Sequence, residues 1–205
     1  MPMKCGTTAL SRVLSRHYQT RRVGSGNHKH PHGVVRDAKY DDCTYVLCVR
    51  NPITRFLSLW SMYERHRFEW KRGRSRGPDH AISDKPTGFT TRFGVELFKN
   101  TPTIQDVLEV AEDSKVARLM RGPWSINYQL QATKTGKQDY VIRQESLAYN
   151  ANNFLNSKGH NSLDIPRVRV NKRRKPFTRS EILAAEQIAL RWWREDFSIG
   201  GYDVT

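Results

Sequence analysis

The residues best suited to chemistry fall in a few short stretches. Pro2-Met3-Lys4-Cys5-Gly6-Thr7-Thr8 leads from a turn into the start of a helix, where backbone N–H groups lack partners and the dipole favours an anion. Gly6 lets a ligand approach the backbone, Thr7 and Thr8 add hydroxyl donors, and Lys4 brings a charge that can follow a leaving oxygen. Lys4–Thr8 therefore reads as a phosphate seat, with ordinary helix capping as the alternative. It lacks the first glycine and the Gly-Lys-Ser/Thr ending of a Walker A loop, which turns the reading away from an ATPase or kinase. Further along, Arg50 stands at the carboxyl end of a strand and Ser58 lies two turns into the next helix. A guanidinium and a hydroxyl beyond a strand end can grip a second phosphate; a structural arginine followed by a capping Asn51-Pro52 is the alternative. Finally, His28-Lys29-His30-Pro31-His32-Gly33 gathers imidazoles, which can accept a proton near neutral pH. A metal-binding or merely solvated cluster is the competing reading.

These residues need elements to position them. Leu10, Val13, Leu14 and Tyr18 recur at helical spacing and predict an amphipathic helix over Ala9–Tyr18. The Gly24–Asn27 turn and the histidine-rich loop separate it from Thr44-Tyr45-Val46-Leu47-Cys48-Val49, a continuous apolar run of the kind buried on both faces in a parallel sheet. Asn51 can cap the next helix and Pro52 can occupy its first turn. Ile53, Phe56, Leu57 and Trp60 form its apolar side, while Asn51, Arg55 and Ser58 share a face. From Arg65 to Gly94 the composition predicts an irregular basic excursion. Thr103 with Asp106, and Thr178 with Glu181, predict capping boxes. Between them, Tyr140–Arg143 reads as a short strand, followed by a helix carrying Leu147, Ala151, Phe154 and Leu155 that ends at Gly159. In the last helix, Ile182, Ala185, Ala189 and Trp192 are expected to face inward. Strands alternating with helices predict one α/β domain over residues 1–205 with a parallel sheet.

Taken together, the Lys4-x-Gly-Thr-Thr and Arg50-Asn-Pro-x-x-Arg-x-x-Ser58 segments resemble the two phosphate motifs of the PAPS-dependent sulfotransferases, in the carbohydrate branch that includes the Golgi-type and uronyl 2-O enzymes; PAPS is 3′-phosphoadenosine 5′-phosphosulfate. The resemblance continues through Arg121-Gly122-Pro123-Trp124-Ser125, Val141-Ile142-Arg143-Gln144-Glu145-Ser146-Leu147 and the tail Asp196-Phe197…Gly201-Tyr202. It implies a P-loop NTPase-like three-layer α/β domain with a central parallel sheet. Its first strand is apparently truncated, because only Met1-Pro2-Met3 precedes the loop. It implies PAPS as sulfuryl donor, with Lys4, Cys5, Gly6, Thr7 and Thr8 on the 5′-phosphosulfate and Arg50 and Ser58 on the 3′-phosphate. Lys4 would also neutralise the bridging oxygen. His32, with His30 second, resembles the upstream histidine of the uronyl enzymes and is the expected base; Glu145 reads as structural, with a carboxylate base as its alternative. No metal is expected.

The implied acceptor is a carbohydrate or another hydroxyl-bearing molecule. A net charge of +15 favours a polyanionic one, with Phe68 and Trp70 in the Arg65–Arg76 stretch offering faces to sugar rings. Lys172-Arg173-Arg174-Lys175 would serve PAPS or that acceptor. On charge alone the competing reading is a basic nucleic-acid-binding protein, or a nucleotide-binding protein without turnover. No run is apolar enough to span a bilayer. The three cysteines, Cys5, Cys43 and Cys48, suit a reducing, cytoplasmic setting, with the Golgi lumen or membrane the alternative should the start be incomplete.

Overall fold

The computed structural model of the chain describes residues 10, 14–16, 18, 44–71, 101, 103–122, 125–127, 139–165 and 176–204. The apolar run after Thr44 forms strand β1 (Val46–Val49), and the second expected strand forms as β2 (Tyr140–Arg143). They pair in parallel, with Val46 opposite Tyr140 and Val49 opposite Arg143. A parallel pair needs a long crossover between its strands. Helices α1 (Pro52–Lys71), α2 (Ile104–Leu108) and α3 (Lys115–Arg121) lie in that stretch. A 3-10 turn at Gln144–Ser146 leads from β2 into α4 (Leu147–Ser157), and α5 (Arg179–Trp192) and α6 (Arg194–Gly200) follow. Helices combined with a parallel strand pair are of the α/β class.

The start of α1 is fixed as the sequence predicts. The Asn51 side-chain oxygen accepts the N–H groups of Ile53 at 3.0 Å and Thr54 at 3.3 Å, and its carbonyl accepts that of Arg55 at 2.9 Å. Pro52, which has no N–H, takes the first helical position. The helix runs on to Lys71, past Arg65, where an irregular excursion was expected. Arg, Glu and Lys are strong helix formers whatever the apolar period, and they dominate Glu64–Lys71. Both capping boxes form, at Thr103–Asp106 and Thr178–Glu181.

Among the described residues the buried apolar side chains fall into two clusters. On the helical side, Phe56, Leu59 and Trp60 of α1 meet Ile104 and Val107 of α2, Met120 of α3 and the Ala184, Ala185, Ile188, Ala189 and Trp192 stripe of α5. Small alanines on α5 let neighbouring helix axes come close. Ile182, expected inside, is 44% exposed, because the stripe that packs begins at Ala184. On the strand side, Cys48, Val49 and Ile142 pack with Ala151, Phe154 and Leu155 of α4 and with Leu10 and Leu14, both helical as the Ala9–Tyr18 spacing predicts. Cys48 is buried, while Cys5 and Cys43 lie outside the described residues. Tyr202 packs against both clusters.

Left-handed glycines end two helices. In α4, Gly159 (φ 77°) donates to the Asn156 carbonyl and His160 to that of Leu155, each at 3.0 Å. In α6, Gly201 (φ 62°) donates to Ser198 at 3.0 Å and Tyr202 to Phe197 at 2.9 Å. Both are Schellman closures, and the second delivers Tyr202 to the strand edge. Among the described residues no helix is long and apolar enough to cross a membrane.

Candidate functional site

The parallel register brings the carboxyl ends of β1 and β2 to one edge. Arg50-Asn51 leaves that edge beside Gln144-Glu145, and the Asn51 N–H donates to Glu145 Oε1 at 2.9 Å. Ligands of open α/β sheets bind beyond such an edge. Arg50 is half-buried there, and its Nε donates to Thr54 Oγ1 at 3.0 Å. Ser58, also half-buried, lies four residues beyond Thr54, so Thr54 and Ser58 are neighbours along one side of α1. Arg50 is thus tied to Thr54, a residue that sequence reasoning passed over. Its only signal was its place four residues after Arg50.

Glu145 ties the edge together. Oε1 faces the Asn51 N–H and, at 3.4 Å, the Thr54 hydroxyl; Oε2 accepts the Tyr202 hydroxyl at 2.7 Å. Arg143 at the end of β2 donates through Nε to the Gly200 carbonyl at 2.8 Å and through Nη2 to the Gly201 carbonyl. Its guanidinium lies 5.0 Å from the centre of the Tyr202 ring. Gly201 is favoured by its positive φ; a Cβ there would also stand 2.5 Å from Arg143 Nη2, whose guanidinium would have to move aside.

Deeper in the protein, Arg55 and Asp196 form an ion pair at 2.5 Å, with side chains 1% and 0% exposed. Arg55 also lies 4.3 Å from the centre of the Trp193 ring. Asp196 accepts from Ser125 Oγ at 3.0 Å and from the N–H groups of Ile126 and Asn127, both at 2.8 Å. Arg55 keeps the expected helical spacing with Asn51 and Ser58, and its side chain turns into the core toward a buried carboxylate. The segments ending at Ser125 and beginning at Asp196 meet at this carboxylate.

The α1 start has little backbone to offer an anion. The amides of Ile53 and Thr54 serve the Asn51 side chain, and the Asn51 amide serves Glu145. Lys4, Cys5, Gly6, Thr7 and Thr8 lie outside the described residues, as do His30, His32 and Lys172–Lys175, while positions 68 and 70 fall in the last turns of α1. Among the described residues no cluster of His, Cys, Asp and Glu could hold a metal ion. Comparison with protein-family models, with curated proteins and with solved structures gives no match to this chain.

Proposed function

We propose that the chain is a sulfotransferase moving a sulfuryl group from PAPS to a hydroxyl of an acceptor, a carbohydrate in the first instance, on a P-loop NTPase-like α/β fold. The observation that carries the proposal is the position of Arg50: it sits at the shared carboxyl edge of two parallel strands with its Nε fixed on Thr54 and Ser58 one turn further along α1. A guanidinium fixed at such an edge fits a phosphate, and the 3′-phosphate distinguishes PAPS from simpler adenine nucleotides.

PAPS supplies a sulfuryl group already activated by its anhydride link to phosphate. The chain's contribution is to position and to manage charge, as in phosphoryl transfer. Cys5, Gly6, Thr7 and Thr8 hold the 5′-phosphosulfate through amides and hydroxyls, and Lys4 neutralises charge on the oxygen that leaves sulfur. Arg50 and Ser58 hold the 3′-phosphate. His32, or His30 in its place, takes the proton of the acceptor hydroxyl.

Calorimetric titration with 3′-phosphoadenosine 5′-phosphate (PAP) and with AMP, which lacks the 3′-phosphate, tests the cofactor half. PAP is expected to bind more tightly than AMP. Arg50→Ala should weaken PAP by about 1.5–3 kcal/mol, roughly tenfold to a hundredfold, and leave AMP unchanged, because one charge-assisted contact set is lost. Equal affinities in the wild type would sink the proposal. The +15 charge favours a second reading, nucleic-acid binding, which predicts indifference to PAP. A nucleotide-binding protein without turnover would bind PAP yet release no sulfate onto any acceptor.

A further inference from the structure

An arginine side chain is long, and a guanidinium left to rotate grips a phosphate poorly, because its donors form a planar fork whose orientation decides whether two can meet two oxygens. Here the plane is set from one side. Arg50 Nε donates to Thr54 Oγ1 at 3.0 Å. The single Thr54 hydroxyl proton is shared between the Asn51 carbonyl at 3.2 Å and Glu145 Oε1 at 3.4 Å. A hydroxyl drawn toward acceptors becomes a better acceptor itself. Glu145 is held by the Asn51 N–H at 2.9 Å and the Tyr202 hydroxyl at 2.7 Å, and the Tyr202 ring rests near Arg143, which is fastened to the carbonyls of Gly200 and Gly201.

We infer that Thr54, Glu145 and Tyr202 form a positioning relay that orients Arg50, so that the turn at Gly200–Tyr202 governs how well a phosphate is gripped at the end of β1. In its ligand, the inference rests on the reading of Arg50 as a phosphate contact. The relay joins the turn after β2 and the tail to Arg50, which explains why Glu145 and Tyr202 meet at the strand edge. Thr54, Glu145 and Tyr202 are positioning residues; none of them is assigned a contact with substrate.

The experiment compares wild type, Arg50→Ala, Thr54→Val, Thr54→Ser and Tyr202→Phe in the full chain. Affinities for PAP and AMP are measured by calorimetry, and the Arg50 Nε–H resonance is followed in nitrogen-15 spectra of the unliganded protein. Thr54→Val keeps shape and removes the acceptor. It is expected to weaken PAP about tenfold with AMP unchanged, the loss typical of a contact to a charged group, and to broaden the Arg50 signal. Thr54→Ser should restore both, and Tyr202→Phe should give a smaller loss, about threefold by the same reckoning. A merely structural role would lower thermal stability without changing the PAP-to-AMP ratio. Loss of PAP affinity in Arg50→Ala with none in Thr54→Val overturns the relay. Should wild type bind PAP no better than AMP, the phosphate reading fails, and the resonance alone decides: a sharp signal in wild type that broadens in Thr54→Val upholds the relay, and an unchanged signal overturns it.

Discussion

At the scale of single residues, the Arg55–Asp196 pair shows how a buried charge is tolerated and which partner depends more on the other. Asp196 accepts from Ser125, Ile126 and Asn127 as well as from Arg55. Arg55 Nε and Nη1 have no hydrogen-bond partner among the described residues, so its positive charge rests on Asp196 and on the face of Trp193. Removing the carboxylate strands the guanidinium, whereas removing the guanidinium leaves a carboxylate with its remaining donors. Asp196→Ala is expected to destabilise by about 3–5 kcal/mol and Arg55→Met by about 1–3 kcal/mol. Urea unfolding of the two variants at neutral pH measures the difference. Equal losses, or the reverse order, would show that the donors from Ser125 to Asn127 do not sustain the charge. Sequence offered Asp196 only as part of a tail motif, since its role depends on an arginine 141 residues away.

At the scale of elements, short helices are held by side chains that cross between them. Glu112, in the turn between α2 and α3, receives Arg191 Nε of α5 at 2.8 Å and Arg121 Nη1 of α3 at 2.9 Å, while Arg191 Nη1 also donates to the Leu108 carbonyl at 2.5 Å. The hydrogen bond from Arg191 holds the Glu112 carboxyl below its ordinary pKa, and the charges of Arg191 and Arg121 add to it. A depressed folded pKa means that this link stabilises the protein fully above the unfolded value, and that the contribution is lost as pH falls through the folded value. Glu112→Gln should therefore have a lower urea midpoint than wild type at pH 7, with the gap closing as pH falls through the lowered folded pKa of Glu112. A gap independent of pH would mean that the link is not electrostatic. Elements with strong local signals were legible: β2, both capping boxes and the Asn51-Pro52 start. The α3 segment was not, because Val116, Ala117 and Met120 span too few turns for a period to emerge. Nor was α6, whose Arg194-Glu195-Asp196 opening hides a carboxylate that goes inward. Ile182 misled because the Ala184, Ala185, Ile188, Ala189 and Trp192 stripe that packs into the core decides the face of α5, and hydrophobicity alone does not reveal it.

At the scale of the whole molecule, the strand-side and helical clusters are joined where Tyr202 touches both. The candidate edge lies at that junction, with Arg50 approached from β1 and braced from the tail. The sequence offered Arg50 and Ser58 as candidates there, but the contacts around them were not legible, because Glu145 meets Asn51 across 94 residues of chain. The large positive charge acts over longer distances than any of these contacts, and salt separates its effect from theirs. A ligand with two phosphate groups displaces few counterions, while a nucleic acid contacted at many phosphates displaces many. PAP affinity is expected to fall less than about tenfold between 50 and 200 mM salt, whereas a double-stranded oligonucleotide contacted at about 6–10 phosphates should lose roughly a thousandfold or more. Competition at the higher salt then decides which partner the fold is built for. PAP retained against an oligonucleotide points to the braced Arg50 edge as the selective site. An oligonucleotide that still displaces PAP there would mean that the distributed charge outweighs the edge, and the protein would be read as a nucleic-acid binder.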